Sequence, residues 1–197
     1  MDTTSHAQAP GRASGWVTPA ILLALVGVGL LFAFKATDVS TTWFGVFKLV
    51  HVCIAVFWVG GGLLLTALAL RATRANDPKE LATIARQAAF VGEKLFAPAG
   101  GIVLAMGIAM VINGGGALDI HFSTPWVSIG LAGWAISFVT GVAVLSPRAK
   151  KVAQLLETAG EAAPETQKAI REILLIARLD VALLLVVVMD MLMKPFS

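Results

Sequence analysis

The chain has 197 residues, 57% of them hydrophobic and only 14% charged, with a mean hydropathy of +0.84. These values exclude an ordinary water-soluble domain, because several apolar runs are long enough to cross a ~30 Å hydrocarbon layer at ~1.5 Å of rise per residue. The net charge of +3 lies in short segments beside apolar runs, a pattern that membrane topology explains and nucleic-acid binding does not.

Residues 1–15 form a polar leader. The run that follows, 16–34 (WVTPAILLALVGVGLLFAF), is too long for a secretory signal core and precedes no small-x-small cleavage site, so it is expected to stay as a membrane span. Further spans are expected at about 43–70, 95–112, 126–145 and 173–193. The connections 71–94 and 146–172 each carry five basic residues, whereas 113–125 has none and 35–42 has one. Under the positive-inside rule the first two face the cytoplasm and the others face outward. The expected architecture is therefore an all-α, polytopic membrane bundle of about five transmembrane helices, with the N-terminus cytoplasmic and the C-terminus outside. It forms one integral membrane domain over 1–197, with no internal repeat. Trp16, Trp43 and Trp126 stand at the edges of apolar runs, where aromatic belts form.

The basic connections read as helical. Asp77-Pro78 is a helix start, with aspartate as cap and proline at the first position, so the third span is expected to begin as a longer helix emerging from the membrane. ETQKAIREILLIARLD runs into the last span without a breaker, and Asn113 with the glycines after it ends the third. Two small-residue stripes predict close helix packing: Ala97, Gly101, Ala105 and Ala109 on the third span, and Gly133, Ser137 and Gly141 on the fourth.

Polar residues inside the apolar runs are the functional candidates, because a charge at the bilayer centre costs about 2.5–3.5 kcal/mol even on insertion scales. On the second span Lys48, His51, Ala55, Trp58 and Gly62 share one helix face. Lys48 lies about 8 Å and His51 about 12 Å along the axis from Trp43. On the last span Asp180, Leu183, Val187 and Asp190 repeat that spacing, and Asp190 is expected at the level of Lys48 and His51, as an acid opposite a base. Plainer roles stand beside each. Lys48 can snorkel, His51 can bond a neighbouring helix, Trp58 can simply pack, and Asp190 can cap or pair.

The pattern K-x-x-H-x-x-x-x-x-x-W-x-G-G-G, read as Lys48, His51, Trp58 and Gly60 to Gly62, resembles a family of bacterial integral membrane proteins of unknown function. PWVSIGLAGWAISFVTGVAVLSPRAKK and ARLDVALLLVVVMDMLMKP carry the resemblance further, over about residues 43–195. That family in turn distantly resembles the HemJ and copper-resistance D group, in which a K-x-x-H opening also occurs. HemJ proteins are heme-binding protoporphyrinogen oxidases, and the copper-resistance D proteins are linked to copper uptake. Only Lys48 and His51 carry over; the HemJ-like lysine on a later helix has no clear counterpart. The resemblance implies a bacterial inner-membrane location.

Three readings follow. In the first, heme b binds with His51 as axial ligand and Lys48 near a propionate, with Trp58 and Asp190 as further contacts, and redox or porphyrin chemistry results. In the second, copper is held by His51 with Met189, Met193 and Cys53, since imidazole, thioether and thiol suit Cu(I). Methionine as plain apolar filler is the alternative there. In the third, the chain is a noncatalytic membrane subunit or a transporter, whose buried polar residues glue helices or relay protons. The expected partners are the lipid bilayer and either a second copy or another membrane protein. The single cysteine, Cys53, forbids a disulfide within the chain.

Overall fold

The computed structural model describes residues 43–114 and 118–194; the leader and the span expected at 16–34 lie outside them. Among the described residues there are six α-helices: α1 (Trp43–Arg74), α2 (Pro78–Val91), α3 (Ala97–Gly114), α4 (Pro125–Val139), α5 (Ser146–Thr158) and α6 (Pro164–Met193). A single π-helical turn, Gly92–Phe96, joins α2 to α3, and a second, Thr140–Leu145, joins α4 to α5. The helices therefore make four long rods, up, down, up and down.

The helix ends follow their sequence signals. Asp77 is extended (φ −105, ψ 90) and its Oδ1 accepts a hydrogen bond from the Glu80 amide at 2.9 Å, while Pro78 fills the first turn. α3 stops where the glycine run begins, with Asn113 Nδ2 donating back to the Ala109 carbonyl at 2.8 Å. The expectation that helix continues from the third span into the 71–94 connection holds. The third rod likewise runs on past the span expected at 126–145, through Pro147 to Thr158, in line with the helical reading of the second basic connection. Pro147 falls just past a π turn, where the backbone ladder is already shifted, so its missing N–H does not break the rod.

Three rods, Trp43–Arg74, Pro78–Asn113 and Pro125–Thr158, are long and apolar enough to cross a membrane. The fourth, α6, is 30 residues long and keeps Arg178, Asp180 and Asp190 within its apolar stretch. The outside of the bundle is apolar, with Val52, Val56, Phe57, Leu63 and Leu64 of α1 all exposed. Water rejects such a surface and lipid requires one.

At 32 residues α1 is roughly 48 Å long, well beyond a ~30 Å hydrocarbon layer. The excess builds a cap. The end of α1 joins α2, α5 and the start of α6 around a core that includes Ala72, Leu81, Ile84, Val152, Leu156 and Ile170. Ion pairs decorate its surface: Arg71 with Glu80, Arg86 with Glu157, Arg148 with Glu172, and Lys150 with Glu93.

α1 packs chiefly on α3, α2 on α5, and α4 on α6. The α3 stripe expected from sequence is not the buried one: Gly101 and Ala105 are exposed, and a Cβ on Gly101 would meet nothing. The inward face carries Ala99, Gly100, Val103 and Val111 instead. The fourth-span stripe packs at Gly133 and Ser137, while a Cβ on Gly141 would meet nothing. A Cβ on Gly133 would collide with Val187, and Ser137 is 1% exposed.

Candidate functional site

The polar residues of the apolar runs fall in three separate places. His51, half-buried on α1, donates from Nδ1 to the Val103 carbonyl of α3 at 2.8 Å. Gly107, one turn further along α3, lets the ring approach: a Cβ there would lie 3.3 Å from His51 Cε1. A carbonyl can only accept, so Nδ1 carries the proton and, in the neutral ring, Nε2 keeps its lone pair. The bond ties α1 to α3, as does Trp134 Nε1, which ties α4 to α3 by donating to the Gly100 carbonyl at 3.0 Å.

Asp190 lies on the α4 side of α6. It is 8% exposed, its Oδ2 has no hydrogen-bond partner among the described residues, and a Cβ on Gly130 would lie 3.8 Å from that oxygen. Nearby, Met191 packs against Val111, Trp126 and Val127, and Lys194 Nζ sits 5.3 Å from the centre of the Trp126 ring. The pairing of Asp190 with Lys48 or His51 is corrected here: no such ion pair forms among the described residues, and Lys48 is exposed. The physical reason is rotational. The face of α6 that carries Asp180, Leu183, Val187 and Asp190 is taken by the small residues of α4: Gly130 lies at Asp190, Gly133 at Leu183 and Val187, and Ser137 beside Asp180. The two stripes picked out separately in sequence meet each other.

The copper set is spread out. Met189 and Met193 are 53% and 71% exposed, while Cys53 is a half-buried free thiol on α1. Among the described residues no group of three or more His, Cys, Asp or Glu side chains is gathered to hold a metal ion.

The third place is a cavity of about 140 Å³ at the level where the membrane part of the bundle passes into the cap. Its wall is almost wholly apolar. Trp58 and Gly62 of α1, Phe96 and Gly141 of the π turns, and Ala149 and Val152 of α5 line it, with Ala177 and Leu184 of α6 closing the side. Both π turns reach it, in keeping with their frequent use where a helix is re-aimed at a functional site. Four polar side chains break the apolar wall, Thr66 of α1, Ser137 of α4, Ser146 of α5 and Asp180 of α6; Thr66 Oγ1 donates to the Gly62 carbonyl, whereas the buried Asp180 Oδ1 and Ser137 Oγ have no hydrogen-bond partner within 3.5 Å among the described residues. Of the candidates picked out on the second and last spans, Trp58, Gly62 and Asp180 line this cavity; neither it nor a second one at Arg148, Lys151 and Glu172 is lined by His51, Lys48 or Asp190. A cavity of about 150 Å³ holds benzene, far less than a porphyrin.

Sequence reasoning missed Ser137 as a polar group, because it stood in a stripe of small residues and read as packing. The signal was present: Ser137 and Asp180 interrupt apolar runs on two helices that the stripes bring together.

No curated protein and no solved structure is detectably similar to the chain. Residues 45–195, which take in all six helices but for the first two residues of α1, match the family described as predicted integral membrane protein (DUF2269). With its apolar rods, lipid-facing exterior and this match, the chain belongs to that integral membrane protein family.

Proposed function

We propose that the protein is a noncatalytic, small-molecule-binding membrane bundle of the transport type, which takes its ligand into the cavity at Asp180. The observation that carries this reading is the pair of buried polar groups, Asp180 Oδ1 and Ser137 Oγ, side by side on the wall of a largely apolar cavity and bonded to no third group. A buried polar group left unpaired costs about 1–3 kcal/mol, and more when charged. Ionisable residues at membrane depth face partners or cavities, and a ligand is the partner that Asp180 lacks. We also propose about five spans with a cytoplasmic N-terminus, on the alternation of basic and non-basic connections, and a bacterial inner-membrane location, on the helical spans and the resemblance carried by residues 43–195.

Saturable binding of 4-fluorobenzyl alcohol, followed by fluorine NMR on protein in phosphatidylcholine nanodiscs, tests the reading. Ala177→Leu fills the cavity and is expected to remove binding that the parent protein shows. A parent protein that gives no more signal than empty nanodiscs would sink the proposal.

A second reading keeps heme b, or copper, at His51. It is favoured by the Nδ1 bond to Val103, which leaves Nε2 free and fixes the ring, as second-shell bonds do for ligating histidines. His51 alone carries this reading, since Trp58 and Asp190 lie in other parts of the bundle and Met189 and Met193 are exposed. The absorption spectrum and metal content of protein purified after growth with ample heme and copper decide it: a Soret band or bound copper lost in His51→Ala supports this reading, and protein with neither rejects it.

A further inference from the structure

Resting on the cavity reading above, we infer that the ligand is a small organic cation: an ammonium group carried on an apolar body about the size of benzene. The cavity wall holds one ionisable side chain, Asp180, and no lysine, arginine or histidine. An anion entering it would find a carboxylate and no counter-charge. A purely apolar ligand would leave Asp180 Oδ1 and Ser137 Oγ buried with no partner but each other.

The rest of the wall favours the same ligand. Trp58, Phe96 and Phe138 all line the cavity. Two glycines bring these rings in. A Cβ on Gly61 would lie 2.7 Å from Phe96 Cζ, and one on Gly100 would lie 2.6 Å from Phe138 Cδ2 and 3.5 Å from Trp58 Cη2. The rings are also held from behind: Trp134 stacks on Phe138 with centroids 5.1 Å apart and planes at 18°, and Phe57 meets Phe96 edge-on at 5.9 Å and 76°.

Aromatic faces are negative and attract a cation most strongly where water is excluded. A carboxylate that lines one cavity with three aromatic rings selects an ammonium group, whose N–H donors Asp180 and Ser137 can both accept. The remaining lining, which includes Leu65, Val142, Ala177, Val181 and Leu184, suits an apolar body.

The test compares 4-fluorobenzylammonium with 4-fluorobenzyl alcohol, nearly equal in shape and different in charge, on the full chain in phosphatidylcholine nanodiscs, with empty nanodiscs as the partition control. The ammonium is expected to bind about tenfold more tightly, the scale of one desolvated cation–π contact plus a partly screened charge. Asp180→Asn should cut ammonium affinity by about that factor and alcohol affinity much less, so that the preference for the ammonium narrows. If that variant does not fold, Phe138→Leu, which keeps the wall apolar but removes a π face, should narrow the preference. Equal or tighter binding of the alcohol overturns the cation proposal and leaves the cavity reading standing, as does a preference that survives both substitutions. If neither probe binds saturably, the cavity reading fails and the cation proposal with it.

Discussion

Gly130 and Gly133 occupy successive turns of α4, yet their neighbours yield very differently. A methyl group on Gly130 would strike the end of the Met191 side chain, which has three rotatable bonds with which to move aside. One on Gly133 would strike the branched Val187, whose χ1 is nearly fixed in a helix. Gly133→Ala is therefore expected to lower unfolding stability by about 1–3 kcal/mol, and Gly130→Ala by a good deal less. Denaturant titration of the two variants in detergent checks this, and equal losses would contradict it. At this scale sequence was informative about which residues matter and poor at saying what they touch. The inward face of His51 and Trp58 could be read from their helical spacing. That His51 meets a backbone carbonyl could not, because a carbonyl has no letter in the sequence and Gly107 marks its access only once the helices are docked.

Between elements, Gly92 of the first π turn meets Ser146, the first residue of α5, at close quarters. A Cβ on Gly92 would collide with Ser146 Oγ, whereas Ser146 Cβ would lie 3.6 Å away, an ordinary contact. Gly92→Ala should thus destabilise the bundle, and adding Ser146→Ala should recover most of the loss, since only the hydroxyl is in the way. A melting series of the two single variants and the double variant reads this directly; a double variant no better than Gly92→Ala alone would show that the clash lies elsewhere. Helix ends were legible, from Asp77-Pro78 to the glycines after Asn113, because capping is local chemistry. The π turns were not, since one added residue per turn scarcely alters an apolar run. The α3 stripe misled for a related reason. In lipid both faces of a helix are apolar, and Gly and Ala occur on either, so spacing alone does not say which face is covered.

The described residues form a membrane bundle with a cap, and its orientation is open to direct test. In a Cys53→Ser background, Gln87→Cys on the exposed face of α2 and His121→Cys in the loop before α4 place thiols at opposite ends. A membrane-impermeant maleimide applied to spheroplasts should label His121→Cys at once and Gln87→Cys only after permeabilisation; the reverse order would invert the topology. The cap has a further consequence for how the protein denatures. Its core of Leu81, Ile84, Val152, Leu156 and Ile170 faces water when opened, so it is held by the hydrophobic effect, with the heat-capacity signature that entails. The α3 and α4 rods open into lipid, where that driving force is missing. One chain thus answers to two solvents. Urea and cooling should strip amide-exchange protection from α2 and α5 while α3 and α4 keep theirs, and the protein should come apart in two stages, from its wet end first.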